Sequence, residues 1–401
     1  MSQSGIVYLD HAATTPTAPE VLEAMLPYFS ERYGNPSSLY SVGSEARAAV
    51  EHARESVAAL IGAQPEEIYF TAGATESDNW AIKGAAWAHE SRGRHIITSA
   101  IEHHAVLEPC HFLQKHGWEV TFVGVGSDGI VDPGDVAKAI RPDTILISIM
   151  HSNNEVGTIQ PIAEIGQIAA ERKILFHTDA VQSAGKVPLD VRELHCDMMS
   201  LSAHKLYGPK GVGALYLRKG ARIAPLIEGG GQENRRRAGT SNVPGIVGMG
   251  AAFRLGAQQM EADARHQIPL RDRIIEGILQ MPDTRLNGHR TQRLPNNVSV
   301  CIEGAEGEAM LLGLDQEGIC VSSGSACTSG TLDPSHVLLA MGVPVEVAHG
   351  SLRITLGRGN TQEDVDKLLS VLPDVVERFR AMNPWYARQR KARRSPEAQT
   401  A

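Results

Sequence analysis

The 401-residue sequence has no apolar run approaching the roughly 18 residues that a membrane span requires. No transmembrane helix and no membrane partner are therefore expected. Its first residues, Met-Ser-Gln-Ser-Gly-Ile-Val-Tyr-Leu-Asp, lack a basic region followed by an apolar core, so a secretory signal is not expected. Positive charge is not in excess. Lys and Arg number 38 against 46 Asp and Glu, giving a net charge of −8, which argues against nucleic acid as the main partner. The strong basic cluster near an end runs from Arg388 to Arg394. Cysteine is scarce. The five cysteines (Cys110, Cys196, Cys301, Cys320 and Cys327) are odd in number and form no Cys-x-x-Cys pair, which argues against a disulfide framework and a structural zinc site. A reducing, cytoplasmic setting follows as the expectation, with the first four thiols mostly buried and inert.

What is present is ordinary soluble composition, 42% hydrophobic and 21% charged, in a chain long enough for more than one domain. There is no internal repeat. Strands and helices alternate through the first 220 residues. Strands are expected at Glu67 to Thr71, His95 to Ser99, Glu119 to Val123, Thr144 to Met150, Ile174 to His177 and Met198 to Leu201. Helices are expected over 48–61, 75–89, 104–116 and 162–172. This βαβα order predicts an α/β fold with a mostly parallel sheet covered on both faces. Beyond about residue 245 the texture changes. A long helix runs from Pro244 towards Gln280, followed by a strand (Asn297 to Ile302), a helix (306–317), a Gly/Ser-rich loop (322–333), a strand (Ser351 to Leu356) and a helix (361–378). That pattern reads as a smaller α+β domain. The expected division is 15–250 for the large domain and 1–14 with 251–380 for the small one, with a disordered basic tail at 386–401.

Several short stretches carry chemistry. Lys205, in Ser-Ala-His-Lys-Leu-Tyr-Gly-Pro-Lys-Gly (202–211), follows a strand. A Lys amine is nucleophilic once burial or a neighbouring cation depresses its pKa, although a lone loop Lys is commonly just solvated. Ser202 and His204 beside it are candidate phosphate donors. Asp179 lies at the carboxyl end of a strand, where ligands bind in open α/β sheets. It could keep a ring nitrogen protonated, or simply cap a turn. The turn Phe70 to Ser77 opens a helix whose first N–H groups, with Ala74 and Thr75, suit a phosphate or an ordinary N-cap. His103 could stack on a planar cofactor and relay protons, or sit at a helix start. Arg353 is a cation inside an apolar strand, suited to a carboxylate ligand or to a structural ion pair. Cys327 stands among Ser, Ala, Thr and Gly residues that cannot easily bury it, which makes it a reactive-thiol candidate. An amine, a carboxylate for a ring nitrogen and a thiol on a loop suggest pyridoxal phosphate chemistry that ends at a cysteine.

Taken together, these stretches resemble the cysteine desulfurases of the NifS/IscS group, within the fold-type I pyridoxal phosphate enzymes of the class V aminotransferase family. The matching segments include Tyr-Leu-Asp-His-Ala-Ala-Thr-Thr-Pro (8–16), Tyr-Gly-Asn-Pro-Ser-Ser (33–38), Gly-Ala-Thr-Glu-Ser (73–77), Glu-His-His-Ala-Val (102–106) and Asn-Asn-Glu-Val-Gly (153–157). They continue with His-Thr-Asp-Ala-Val-Gln (177–182), Ser-Ala-His-Lys (202–205), Arg-Ala-Gly-Thr (237–240) and Ser-Ser-Gly-Ser-Ala-Cys-Thr-Ser-Gly (322–330). The resemblance spans residues 6 to 380 and implies a seven-stranded, mostly parallel sheet in the large domain. It implies pyridoxal 5'-phosphate tethered at Lys205, with Asp179 on the ring nitrogen, Gln182 on the phenolic oxygen and His103 against the ring. The phosphate is expected on Ala74, Thr75, Ser202 and His204, with Thr240 reaching it from the second subunit of a homodimer. Asn154 and Arg353 are expected to bind the carboxylate of L-cysteine, and Cys327 to take the sulfur as a persulfide. No resident metal is implied; an iron–sulfur cluster would touch Cys327 only in passing.

The expected acceptor is an iron–sulfur scaffold protein, because the long loop around Cys327 resembles the group that passes sulfur directly to scaffolds. The tail after Asn383 lacks the acidic-aromatic ending of housekeeping IscS proteins and is nearer to the nitrogenase-associated NifS type. Two other readings stand beside this one. The first is a selenocysteine lyase or cysteine sulfinate desulfinase, which need not form an enzyme persulfide. The second is a non-catalytic binding protein on the same fold, which would have no reason to keep Lys205, Asp179, His103 and Cys327 together.

Overall fold

The computed structural model describes residues 5–323, 333–384 and 386–388. Twelve strands lie among the described residues. They are β1 (Val7–Tyr8), β2 (Ile68–Thr71), β3 (His95–Ser99), β4 (Glu119–Val123), β5 (Thr144–Ser148), β6 (Leu175–Asp179), β7 (Met198–Ser202), β8 (Gly213–Leu217), β9 (Thr284–Leu286), β10 (Asn297–Ile302), β11 (Ile319–Cys320) and β12 (Ser351–Thr355). Seven of them form the central sheet, in the order β2-β8-β7-β6-β5-β3-β4. All neighbours are parallel except β8, which runs antiparallel to both β2 and β7.

The continuous apolar runs of β3, β5, β7 and β8 are buried along their whole length, as in a sheet covered on both faces. Successive side chains point to opposite faces. Ile97, Ile147, Phe176, Met199 and Ala214 join one core, packed against the helix Ser41–Leu60 and the first half of the helix Val243–Leu279. Ile96, Leu146, Met198 and Leu215 join the other, packed against Trp80, Val106 and Leu113 from the helices Ala74–His89 and His104–Lys115.

A second assembly surrounds the antiparallel sheet β12-β10-β9, with the helices Gly307–Gln316 and Gln362–Ala381 against it. Val7 and Leu9 from the chain start join this core, since β1 pairs with β11. The helix Val243–Leu279 serves both assemblies. Val243, Ile246, Met249 and Phe253 pack in the first core, and Leu270, Ile274, Ile275 and Ile278 pack in the second.

Element types follow the sequence expectation, with differences at the ends. The helix expected over 48–61 starts at Ser41, β5 stops at Ser148, and Asp179 is the last residue of β6 instead of following it. The periodicity argument missed β8. Its apolar run begins only two residues after the Gly-Pro-Lys-Gly turn and looks like part of that turn. The expectation for the thiols needs one correction. Cys110, Cys196 and Cys301 are buried, whereas Cys320 on the short edge pair β1-β11 is partly exposed.

Candidate active site

The carboxyl ends of β2, β6 and β7, the turns after β3 and β5, and the Ala12–Thr14 segment converge on a cavity of about 510 Å³. This is where open α/β sheets place ligands, because strand ends leave backbone groups unpaired and turns free to diverge. Lining it are Ala74, Thr75, His103, Asn154, Asp179, Gln182, Ser202, His204, Lys205 and Arg353, ten of the twelve residues singled out from sequence. Of the other two, Thr240 is exposed and does not line the cavity of its own chain, and Cys327 lies outside the described residues.

Lys205 ends the short turn Ala203–Lys205 that follows β7. Its Nζ donates to the carbonyls of Ala12 (2.7 Å) and Ala13 (2.6 Å), which fixes the amine at the cavity wall. Gln182 Nε2 donates to the same Ala12 carbonyl at 3.0 Å. Asp179 Oδ1 accepts the backbone N–H of Val181 at 2.9 Å. Burial pushes its carboxyl up to about 6, against that hydrogen bond and the charge of Lys205. A cation set against Asp179 would reverse this, because only the ionised carboxylate pairs with it.

His103 is both a helix cap and a cavity wall. Its Nδ1 accepts the N–H of Ala105 at 3.1 Å, so any ring proton of the neutral form sits on Nε2. Burial first, then the charge of Lys205, hold it down to about 4, so the ring is neutral at physiological pH. His204, with Nδ1 and Thr14 Oγ1 3.1 Å apart, is held down to about 4 by burial and by Lys205.

The turn after β2 forms the opposite wall. The helix Ala74–His89 begins there with no side-chain cap, so its first N–H groups are not taken by a side chain of the helix start. Gly213 of β8 lies directly behind. A Cβ at that position would stand 2.7 Å from the carbonyl carbon of Gly73 and 2.9 Å from the amide of Ala74. Glycine there lets the sheet support the turn at close range. Glu76 binds Arg237 through two hydrogen bonds of 2.8 and 3.0 Å, tying this turn to the segment that carries Thr240.

At the β12 side, Arg353 is only 3% exposed. Its Nη1 donates to the carbonyl of Asn154 at 3.1 Å and its Nη2 to Asp10 Oδ1 at 2.9 Å. Arg353 Nε and Asn154 Oδ1 are buried with no partner among the described residues. Unmatched buried polar atoms are costly, and a pair of them in one corner of a cavity marks a place for a polar ligand.

Sequence reasoning passed over four further residues. Asp78 lines the cavity, is 1% exposed and has its carboxyl pushed up by burial and by the charge of Asp179. Its place one helical turn beyond Ala74 was the available signal. Glu102, whose carboxyl burial raises to about 8, lies behind the cavity. Lys186 donates to the carbonyl of Gln182 at 3.0 Å, and burial together with Lys205 lowers its amine to about 7. Asp10 holds Arg353 across 343 positions of sequence, a pairing that no local pattern announces.

The donor set fits pyridoxal 5'-phosphate. It offers the Lys205 amine, the Asp179 carboxylate, the neutral imidazoles of His103 and His204 and a hydroxyl-bearing helix start around a cavity of about 510 Å³.

Comparison with known proteins agrees. The aminotransferase class-V family model matches residues 7–368. A protein named cysteine desulfurase IscS from Methanosarcina thermophila is 57% identical over 383 residues, covering 96% of this chain and 95% of that one. Among solved structures, a NifS-like protein superposes with a TM-score of 0.88 at 42% identity, covering 93% of this chain and 99% of its own. The structure described as SspA in complex with cysteine superposes with a TM-score of 0.78 at 41% identity, covering 87% and 98%. Sequence, fold and cavity together place this chain in the aminotransferase class-V family of pyridoxal phosphate enzymes, in the branch whose curated members are named cysteine desulfurase.

Proposed function

We propose that this chain is a cysteine desulfurase, converting L-cysteine to L-alanine and transferring the sulfur to Cys327 as a persulfide. The observation that carries the reading is the shared wall of one cavity. An amine (Lys205), a carboxylate (Asp179) and an unsatisfied guanidinium–carboxamide corner (Arg353, Asn154) all line it.

Pyridoxal 5'-phosphate, when bound, supplies an aldehyde for amines and a protonated ring that accepts an electron pair from the substrate. In this reading Lys205 tethers it, Asp179 pairs with the ring nitrogen, Gln182 bonds the phenolic oxygen and His103 covers the ring. Ala74, Thr75, Ser202 and His204 take the phosphate. Arg353 and Asn154 orient the substrate carboxylate. Lys205, once displaced, removes the Cα proton of the substrate, and its hold on Ala12 and Ala13 keeps it within the cavity. The Cys327 thiolate attacks the substrate sulfur, the Cβ–S electron pair stays with carbon, and alanine is completed by a proton delivered to Cβ and by return of a proton to Cα from Lys205. The neutral His103 ring is a candidate proton carrier.

The flanks of the Cys327 segment support its role. Ser322 bonds the backbone of Arg353 in both directions (3.0 and 2.7 Å), so the chain leaves for Cys327 beside the carboxylate corner. It returns at Ser335, whose hydroxyl donates to the buried Glu155 at 2.5 Å. Cys327 lies four positions beyond Ser323.

A homodimer is part of the reading, because Thr240 is exposed and needs another subunit's cavity to meet a phosphate. Exposed Leu22, Leu26, Phe29 and Tyr33 offer an apolar surface for such a contact. An iron–sulfur scaffold is the proposed sulfur acceptor.

The test is direct. Cofactor-loaded protein given L-cysteine and a dithiol should release alanine and sulfide in equal amounts. Cys327→Ser should keep the cofactor and lose sulfide release, and Lys205→Ala should lose turnover. Undiminished turnover by Lys205→Ala refutes the assignment. L-selenocysteine and cysteine sulfinate, assayed in parallel, separate this reading from the lyase.

A further inference from the structure

Arg353 is engaged before any ligand arrives. One nitrogen of its fork, Nη2, is held by Asp10 Oδ1 at 2.9 Å, and Nη1 donates to the Asn154 carbonyl at 3.1 Å. Nε is buried and without a partner among the described residues, as is Asn154 Oδ1. The oxygen and nitrogen of an Asn amide exchange places by rotation about one bond, so Asn154 can turn a donor towards the same corner. The corner therefore presents part of a guanidinium fork and a carboxamide to the cavity, while the rest of the fork belongs to a resident carboxylate.

Asp10 is held firmly. It forms a bridge with Thr355 on β12, two positions beyond Arg353, and the Tyr8 hydroxyl donates to its carbonyl at 3.0 Å. Thr355 Oγ1 also accepts the amide of Ala12, which lies two residues beyond Asp10. The Asp10 side chain is 18% exposed and that of Arg353 4%. The two acids that line the cavity, Asp78 and Asp179, form no ion pair with Arg353 among the described residues.

We propose that Asp10 is a positioning and specificity residue of this site. It clamps Arg353 through a single oxygen so that the remaining donors face the substrate carboxylate, and its charge limits how tightly that carboxylate is held. The inference rests on the reading that Arg353 and Asn154 bind the carboxylate. A planar guanidinium can serve two carboxylates at once, each through part of its fork, but the two anions repel each other across it. L-Cysteine and L-alanine carry the same carboxylate. A tighter grip on the substrate would be an equally tight grip on the product, which lowers KM without aiding the chemical step and slows product departure.

The experiment measures L-alanine binding to cofactor-loaded protein by calorimetry, with kcat and KM for L-cysteine alongside. Asp10→Asn keeps an acceptor for Arg353 and removes the charge. Because Asp10 is partly exposed, screening reduces the repulsion, and about tenfold tighter L-alanine binding is expected. KM and kcat should fall together. Asp10→Ala removes clamp and charge alike and should bind L-alanine more weakly than Asp10→Asn. Asp10→Ser, smaller and also uncharged, repeats the charge test should Asp10→Asn not fold. Asp10→Asn, or Asp10→Ser in its place, binding L-alanine no more tightly than the unaltered protein overturns the proposal, as does Asp10→Ala binding it as tightly as Asp10→Asn. Arg353→Gln is the separate control: if it leaves L-alanine binding intact, the carboxylate reading itself fails, whatever Asp10 does.

Discussion

Glu102 opens the Glu-His-His-Ala-Val stretch, is fully buried and is the clearest pH-sensitive element behind the site. Its Oε1 accepts the Ser99 hydroxyl at 2.5 Å and the Met150 amide at 2.9 Å, while Oε2 has no partner among the described residues. Desolvation outweighs both donors and raises the carboxyl from 4.5 to about 8, with the charge of Asp179 adding to the effect. The folded protein therefore holds this proton over a pH range in which the unfolded chain has lost it. Between about pH 4.5 and 8, folding must take up a proton, so stability falls as pH rises through that window and levels off above it. A gap of about 3.5 pH units at about 1.4 kcal/mol each sets a ceiling of about 5 kcal/mol, with relaxation of the site reducing it. Glu102→Gln has no proton to bind, and the titration of Asp179 is common to both proteins. The stability of the variant relative to the unaltered protein should rise with pH, by an amount on the order of a few kcal/mol between pH 5 and 8. Urea unfolding at pH 5, 6.5 and 8, with unchanged m-values, measures the difference. Two curves separated by a constant gap across those pH values would refute the reasoning.

Two predictions concern the frame. Gly213→Ala would set a Cβ against backbone atoms of Gly73, Ala74 and Leu201 at 2.7 to 2.9 Å, none of which is a movable side-chain tip. It should cost about 1–3 kcal/mol and, by displacing the turn, lower the cofactor retained after dialysis, read from the ratio of cofactor to protein absorbance. Phe176→Ala empties a fully buried position, the second residue of β6, and should cost about 3–5 kcal/mol in urea unfolding.

The site was more legible than its surroundings. Lys205, Asp179, Thr75, His103 and Asn154 sit at or just beyond strand ends, where a short stretch of sequence shows both the strand and the chemical group that follows it. Thr240 gave no such result, since it stands on a surface segment away from its own cavity. β8 was missed because five residues after a glycine-rich turn carry no period that separates an antiparallel insertion from a loop.

By itself the sequence determined which segments are buried strands and which are helices. Runs such as Thr-Ile-Leu-Ile-Ser at 144–148 and the apolar spacing of 243–279 are written in local order, and desolvation acts on each residue where it stands. It also determined the set of reactive groups. Tertiary structure alone decided the pairings: β1 with β11, Val7 and Leu9 within the far core, Glu76 with Arg237, and Asp10 with Arg353. These contacts join residues up to several hundred positions apart. Their partners are selected by the closure of two cores onto one long helix, and that closure is a property of the packed whole with no counterpart in the period of any one segment.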